Sequence, residues 1–351
     1  MRLLRRWLLY VAVTTVLAAC GGGGGGGFVP GADLNITEDN AVPVAAAVIG
    51  SFEAVRGLSD GGTGGIIGVA INTGGTGFDI PGFVMQQLER FDVIREQLLA
   101  SNAVGVVAID PPIEEPCDNV GLGYILITGN VEDPNSVNVG DYVVFTMHDC
   151  EVDGMFANGE FALTIAEFSG DIDTFLLPYD LTVDVVLSNF TVTEGTSTFA
   201  GDGDMRLRLA GGTNDGIMEM IMSGNSISVS EPGQTMTLSN YRYEITEQLL
   251  FEPFDYQIDM RGELDLDSPT LNGKVGFDTM CDDIDSCATF TGFADAFPEA
   301  GKMLVSGAGG SQCRLEPDPI NPGEVVIEVD ADGAGPLEAT TINVPWDTLT
   351  M

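Results

Sequence analysis

The residue types that most often carry enzyme chemistry are scarce in this sequence. His148 is the only histidine, and it lies two residues before Cys150 in a stretch with strand character, where a structural role is the favoured interpretation. The sequence contains no His-Glu-x-x-His zinc motif, since that motif needs two histidines. Carboxylates are so abundant that any two could be paired as glycosidase acids, and none is singled out. The sequence therefore favours a binding or structural role over catalysis.

One acidic turn has residues of the types that bind calcium. Asp330 and Asp332 precede Gly333, as in the start of an Asp-x-Asp-x-Asp-Gly loop. Ala334 takes the place of the third acid, and Thr341 that of the closing glutamate. A β-turn in which Gly333 supplies a positive φ is the favoured interpretation. Calcium bound by Asp330 and Asp332 is the alternative, and it is the only cofactor that the sequence suggests.

A row of methionines could form an apolar binding surface. Met218, Met220 and Met222 alternate along one strand and so share a face, and Met260 lies on a later strand. Methionine side chains adapt to loosely specific apolar ligands, but they also fill irregular cores. The core interpretation is favoured, and a ligand-lining role for these four residues is the alternative.

The six cysteines fit an oxidising compartment. A hairpin centred between Asp133 and Pro134 places Cys117 opposite Cys150, because each lies equally far from the centre. We therefore predict a disulfide between these two residues. The pairing among Cys281, Cys287 and Cys313 stays open.

The elements that must position these residues are mostly strands. After Pro116 the apolar residues recur with a period of two. The predicted strands cover residues 121–130, 139–150, 159–169, 179–193, 196–210, 216–230, 234–247, 255–267, 273–280, 302–306, 312–315, 324–330 and 338–344. No helical period of useful length separates them, and parallel strands would need long crossovers, so an antiparallel meander is expected.

Two amphipathic helices are predicted before the strands, over residues 44–58 and 83–102. The residues between them are glycine-rich. A sheet of ten or more strands must curl and cover its apolar face. We expect a mainly β fold in which a large antiparallel meander curves as a half-barrel over the two N-terminal helices. A sandwich and a closed barrel are the alternatives.

The first residues have the three zones of an export signal. Arg2, Arg5 and Arg6 precede an apolar run over residues 8–17, and two small residues follow it. The run is too short for a permanent transmembrane helix. Leu17-Ala18-Ala19-Cys20 resembles a bacterial lipobox.

The lipobox resemblance implies a lipid anchor. It implies that a diacylglyceryl group is added to the Cys20 sulfur, that cleavage falls before Cys20, and that the new amino end can be acylated. Two or more acyl chains anchor a protein stably where one does not. The residues after Cys20 lack the aspartate that tends to retain lipoproteins in the inner membrane of enteric bacteria. The resemblance therefore implies the outer membrane of a Gram-negative bacterium, with the protein facing the periplasm.

The charge of the chain is strongly negative. It has 13 basic and 53 acidic residues, and loss of the three signal arginines leaves 10 basic residues and a net charge of −43. Such a chain repels phosphates, so nucleic acid is not an expected partner. The acidic residues are spread along the whole sequence, which favours adaptation to a salty habitat.

Four regions follow from these observations. They are a signal peptide (1–19), the lipidated cysteine with a flexible glycine-rich tether (20–40), a helical and glycine-rich region (41–116), and an antiparallel β domain (117–351). The expected function is that of a membrane-anchored lipoprotein that binds an apolar or lipid-like ligand. The alternative is a structural or interaction protein of the cell envelope with no small-molecule ligand.

Overall fold

A computed structural model describes most of the region after residue 30. The described residues are 31–56, 94–99, 107–117, 123–133, 136–152, 155–171, 176–194, 197–212, 217–231, 234–248, 256–281, 287–292, 297–321, 323–333 and 340–349. The predicted signal peptide, Cys20, the glycine run after it and most of the predicted helix 83–102 lie outside them.

The fold is mainly β, as predicted, and its strands form one large antiparallel sheet. The strands are β1 (Val107–Ala108), β2 (Ile113–Pro116), β3 (Tyr124–Val131), β4 (Tyr142–Val152), β5 (Met155–Asp171), β6 (Leu176–Glu194), β7 (Ser197–Gly211), β8 (Ile217–Glu231), β9 (Gln234–Gln248), β10 (Tyr256–Asp267), β11 (Asn272–Asp278), β12 (Ala288–Thr291), β13 (Ala300–Ser306), β14 (Gln312–Pro317), β15 (Glu324–Asp330) and β16 (Thr340–Pro345). One α-helix, α1, spans Ala41–Arg56, and residues 94–99 are also helical.

Most neighbours in the sheet are also neighbours in the sequence, which confirms the predicted meander. The order runs from β3 to β11 and then from β13 to β16 without crossovers. At two places in the sheet, two strands lie end to end in the position of one. β1 and β2 both pair with β3, and β11 and β12 both pair with β10 and β13.

Three of these short strands are absent from the strands predicted from the sequence. β1, β2 and β12 have four residues or fewer, which is too short to show a period of two. Pro116, after which the predicted strands were expected to begin, itself ends β2 opposite Tyr124. A proline is tolerated there because β2 has a hydrogen-bonded neighbour only on its β3 side among the described strands.

A series of β-bulges crosses the middle of the sheet. Register shifts occur in every pairing from β4–β5 to β7–β8 and again in β9–β10. Asn189 lies at one of them with a φ of 49°, and its amide donates to Asp202 Oδ1 at 2.6 Å. Opposite it, a β-carbon on Gly159 would lie 2.2 Å from the Asn189 carbonyl oxygen, so only glycine fits. Bulges bend strands and increase their twist, so the series curves the sheet.

Helix α1 begins three residues earlier than predicted. The turn that leads into it is closed in both directions, since the Thr37 carbonyl accepts the Ala41 amide at 2.9 Å and the Asn40 Oδ1 accepts the Thr37 amide at 2.7 Å. Pro43 lies in the first turn, where its missing N–H has no intrahelical partner to lose. No helix among the described residues has the length and apolar character needed to cross a membrane.

One face of the sheet carries the hydrophobic core. Val44, Ala45 and Val48 of α1 are fully buried against it, and Ile94 and Leu98 of the helical segment 94–99 join the same cluster. Each buried side chain of valine or leucine size contributes roughly 1.5–3 kcal/mol. Both predicted helical regions therefore contribute to the core, although only six residues of the second are described as helix.

Candidate functional site

The four methionines named from the sequence lie together on the buried face of the sheet. Met218, Met220 and Met222 of β8 and Met260 of β10 are each at most 5% exposed and belong to the continuous hydrophobic core. Tyr243 of β9 lies between two of them, since it pairs with Met222 on one side and with Met260 on the other. The structure thus brings the row together and packs it with the protein's own side chains.

A pair of hydroxyls lies within this apolar interior. Ser51 of α1 donates to the Val48 carbonyl at 2.7 Å, and its Oγ is 3.5 Å from the Tyr243 phenol. Burial raises the pKa of Tyr243 far above its ordinary value, so the phenol stays neutral. The two hydroxyl groups thus form a polar contact between α1 and β9 within an otherwise apolar interface. The sequence analysis did not single out Ser51, because a lone serine on a helix carries no motif.

His148 lies on the outer face of the sheet, away from the core. Its ring stacks on Tyr124 with the ring centroids 4.7 Å apart, and the two residues are paired across β3 and β4. The structural interpretation of His148 agrees with this stacking.

The predicted disulfide between Cys117 and Cys150 is present, with a Cα–Cα distance of 5.3 Å. The reasoning that led to it was wrong in its geometry. Tyr124 pairs with His148, so the hairpin is centred two to three residues later than expected. Cys117 lies just beyond β2, beside the start of β3, and Cys150 follows a bulge in β4. The later centre of the hairpin and the bulge in β4 shift the two cysteines in compensating directions, so their sulfur atoms still meet.

The open cysteine pairing is resolved by a second disulfide. Cys281 bonds to Cys287, with a Cα–Cα distance of 5.6 Å, and closes the loop between β11 and β12. Cys313 of β14 is a free thiol and is completely buried. Burial raises the pKa of Cys313 to about 12, so at neutral pH it is a protonated, apolar side chain.

The acidic turn after β15 has the geometry of the β-turn that the sequence analysis favoured over a calcium site. Asp330 is buried, and its Oδ1 accepts the amides of Gly333 at 2.9 Å and Asp332 at 3.3 Å. Gly333 has a φ of 64°, as a turn of this kind requires. Among the described residues, no three Asp, Glu, His or Cys side chains form a group that could hold a metal ion. Calcium binding by Asp330 and Asp332 stays a prediction, and the described residues supply no third acidic, histidine or cysteine ligand beside them.

The outer face carries ion pairs across β6 to β15. Six basic residues contact carboxylates: Arg206 with Asp184, Arg208 with Asp180 and Glu219, Arg242 with Glu244, Lys274 with Glu263, Lys302 with Glu316, and Arg314 with Glu328. Exposed pairs of this kind contribute about 0–1 kcal/mol each. Their main consequence is electrostatic. The paired basic residues are already neutralised by carboxylates, and the chain has many more carboxylates than basic residues, so the net charge stays strongly negative.

An uncharged strip interrupts the charged outer face on β8 and β9. Ser228 pairs with Thr237 and Ser230 with Thr235, with hydroxyl oxygens 2.7 and 3.1 Å apart. Ser226 continues the strip and is exposed. Such cross-strand hydroxyl pairs stabilise a sheet, and each hydroxyl keeps further hydrogen-bonding capacity.

Comparison with known proteins gives no relative. No protein-family model matches the chain, no curated protein resembles it in sequence, and no solved structure matches its fold.

Proposed function

We propose that this chain is a lipid-anchored protein of the bacterial outer membrane, facing the periplasm. The support is the sequence Leu17-Ala18-Ala19-Cys20 behind a basic and apolar export signal. Two disulfides in the described body fit an oxidising compartment outside the cytoplasm. Expression in a Gram-negative host with a labelled fatty acid tests the anchor. We expect label in the wild type and none in Cys20→Ser, which should leave the membrane fraction.

The sheet is best interpreted as a half-barrel around α1. The helix packs against both β9 and β15, which lie five positions apart in the sheet. Strands lie about 4.8 Å apart, so a flat sheet would separate these two by about 24 Å, twice the diameter of a helix. Curvature toward α1, assisted by the bulges, accounts for both contacts.

The proposed role of the anchored body is interaction with another component of the envelope. One observation carries this choice over ligand binding, namely that all four candidate methionines are packed in a continuous core with α1. The sheet interior is then occupied by the protein itself, and recognition falls to the outer face. That face offers the hydroxyl strip and the 46%-exposed Val186.

Photo-crosslinking in cells tests this role. A benzophenone amino acid at Val186 or Ser226 is expected to capture the same partner in a large fraction of the molecules. The same probe at Asp39, which is exposed at the start of α1, serves as the matched control. No stoichiometric product from either outer-face site would contradict an interaction role.

Binding of an apolar or lipid-like ligand is the second candidate. The observation that favours it is the methionine content of the core. Within the described part of the chain, seven buried methionines line the sheet, including Met147, Met205 and Met303. Methionine side chains can repack around a guest. Mass spectrometry of lipid extracted from natively purified protein tests this candidate. A stoichiometric acyl compound would support it, and ligand-free protein would contradict it.

A further inference from the structure

The segment before α1 is fastened along one end of the sheet. Asp33 Oδ1 accepts the Lys274 amide at 2.5 Å, and the Leu34 carbonyl accepts the Ala308 amide at 2.8 Å. The Ile36 amide donates to Ser311 Oγ at 2.9 Å, and Glu38 bonds to the Thr340 hydroxyl. We name residues 33–40 the strap, and we name the end of the sheet that it crosses the strap rim.

The register places all of these contacts at the same end of the strands. Lys274 follows the β10–β11 turn, and Ser311 lies in the β13–β14 turn. Thr340 pairs with Val329 near the end of β15. The opposite rim carries the other set of turns, including the start of β8 at Ile217. β8 has 15 residues, so the two rims are about 50 Å apart along it.

The chain therefore leaves the folded body at the strap rim on its way to Cys20. Twelve residues lie between Cys20 and Asp33, so thirteen residue steps join the two, and in any conformation these span at most about 45 Å. We infer that the strap rim is the membrane-proximal surface of the anchored protein and that the opposite rim projects away from the lipid. This inference rests on the proposed anchor at Cys20.

The charge at the strap rim indicates how the body meets the membrane. Asp33, Glu38, Asp39, Asp267 and Asp332 are all exposed there. Lys274 already contacts Glu263. Anionic headgroups repel such a surface, which disfavours adsorption of the body onto the lipid. The strap rim thus faces the membrane across a gap that the tether spans.

Energy transfer from labelled sites to the membrane tests the orientation. The full-length lipidated protein is reconstituted into vesicles of phosphatidylethanolamine and phosphatidylglycerol that contain an acceptor-labelled lipid. A donor is placed at Thr270→Cys in the exposed β10–β11 turn or at Ile217→Cys at the opposite rim. Cys313 is buried, so the unsubstituted protein serves as the labelling blank.

The expected result is severalfold higher transfer from position 270 than from position 217. Extra glycines inserted after Gly27 should lower transfer from position 270. Equal transfer from both sites, or higher transfer from position 217, would overturn the inferred orientation. Failure of the wild type to bind vesicles, or equal binding by Cys20→Ala, would instead overturn the anchor itself, so the two failures are distinguishable.

Discussion

At the scale of single residues, Ser311 is the most consequential side chain that the sequence analysis overlooked. It is buried, accepts the Ile36 amide and donates to the Ala308 carbonyl at 2.8 Å. It thus satisfies backbone groups of two segments that lie 275 residues apart. A serine in a Gly-Gly-Ser turn has no feature in the sequence that would reveal this role.

Ser311→Ala should therefore destabilise the protein. We expect the free energy of unfolding to fall by about 1–3 kcal/mol, because the buried Ile36 amide loses its acceptor. Denaturant unfolding followed by circular dichroism measures the change. Ser268→Ala is the matched control, since Ser268 only bonds to Leu271 within its own turn. A loss as large for the control as for Ser311→Ala would contradict the argument.

The buried thiol of Cys313 gives a second prediction at this scale. Its pKa is raised to about 12, so very little reactive thiolate forms at pH 8. A thiol reagent should find almost no reactive cysteine in the native lipidated protein and one equivalent in guanidinium chloride. Rapid reaction of the native protein would show that β14 opens readily. More than one equivalent after denaturation would show that a disulfide is missing.

At the scale of elements, each disulfide closes a loop at an irregular part of the sheet. Cys117–Cys150 joins the short β2 edge to the bulged end of β4, and Cys281–Cys287 closes the loop between the two strands that share one sheet position. These positions have fewer ladder hydrogen bonds than the long strands, so covalent closure has most effect there.

The two disulfides should differ in their contribution to stability. The sequence separations are 33 and 6 residues, which in the chain-entropy model correspond to about 3.7 and about 2.2 kcal/mol. We therefore expect the double substitution Cys117→Ala/Cys150→Ala to lower the thermal midpoint more than Cys281→Ala/Cys287→Ala. Calorimetry of both variants measures this, and the reverse order would contradict the loop-length argument.

At the scale of the whole molecule, charge dominates the behaviour of the protein. The formal net charge of the full sequence is −40, and the described basic side chains of the outer face are largely engaged in ion pairs. Self-repulsion of the unpaired carboxylates opposes the compact state. Salt screens the repulsion between carboxylates, which stabilises the fold, and it also weakens the ion pairs, which destabilises it. Because acidic residues are in large excess, the relief of repulsion is the larger of the two effects.

Stability should accordingly rise with salt. The screening length falls from about 10 Å at 0.1 M to about 3 Å at 1 M NaCl. Each kcal/mol of relieved repulsion raises the midpoint of a large domain by roughly 2–4 °C, so we expect a rise of several degrees. Asp265→Asn/Asp267→Asn, on the outer face of β10, should reduce the slope. A falling midpoint would show that the ion pairs dominate instead.

The alternation of apolar and polar residues was by itself enough to predict the mainly β fold, most strand boundaries and the meander order. This succeeds because the side-chain period of a strand is local and each turn joins neighbouring strands. The buried methionine row of β8 follows from the same period. The sequence at residues 17–20 that resembles a lipobox, and on which the proposed anchor rests, is also a local signal.

Only the tertiary structure decided how the sheet bends and where the chain enters it. The bulges depend on close approaches such as Gly159 to Asn189, and the strap depends on contacts between residues 241 to 302 positions apart. Contacts at such separations leave no periodic pattern in the sequence. The entropic cost of closing a loop grows only slowly with its length, so the spacing of two residues does not show whether they meet. The sequence around Cys20 therefore predicts a tether, whereas the position of the strap supports the proposal for which rim would face the membrane.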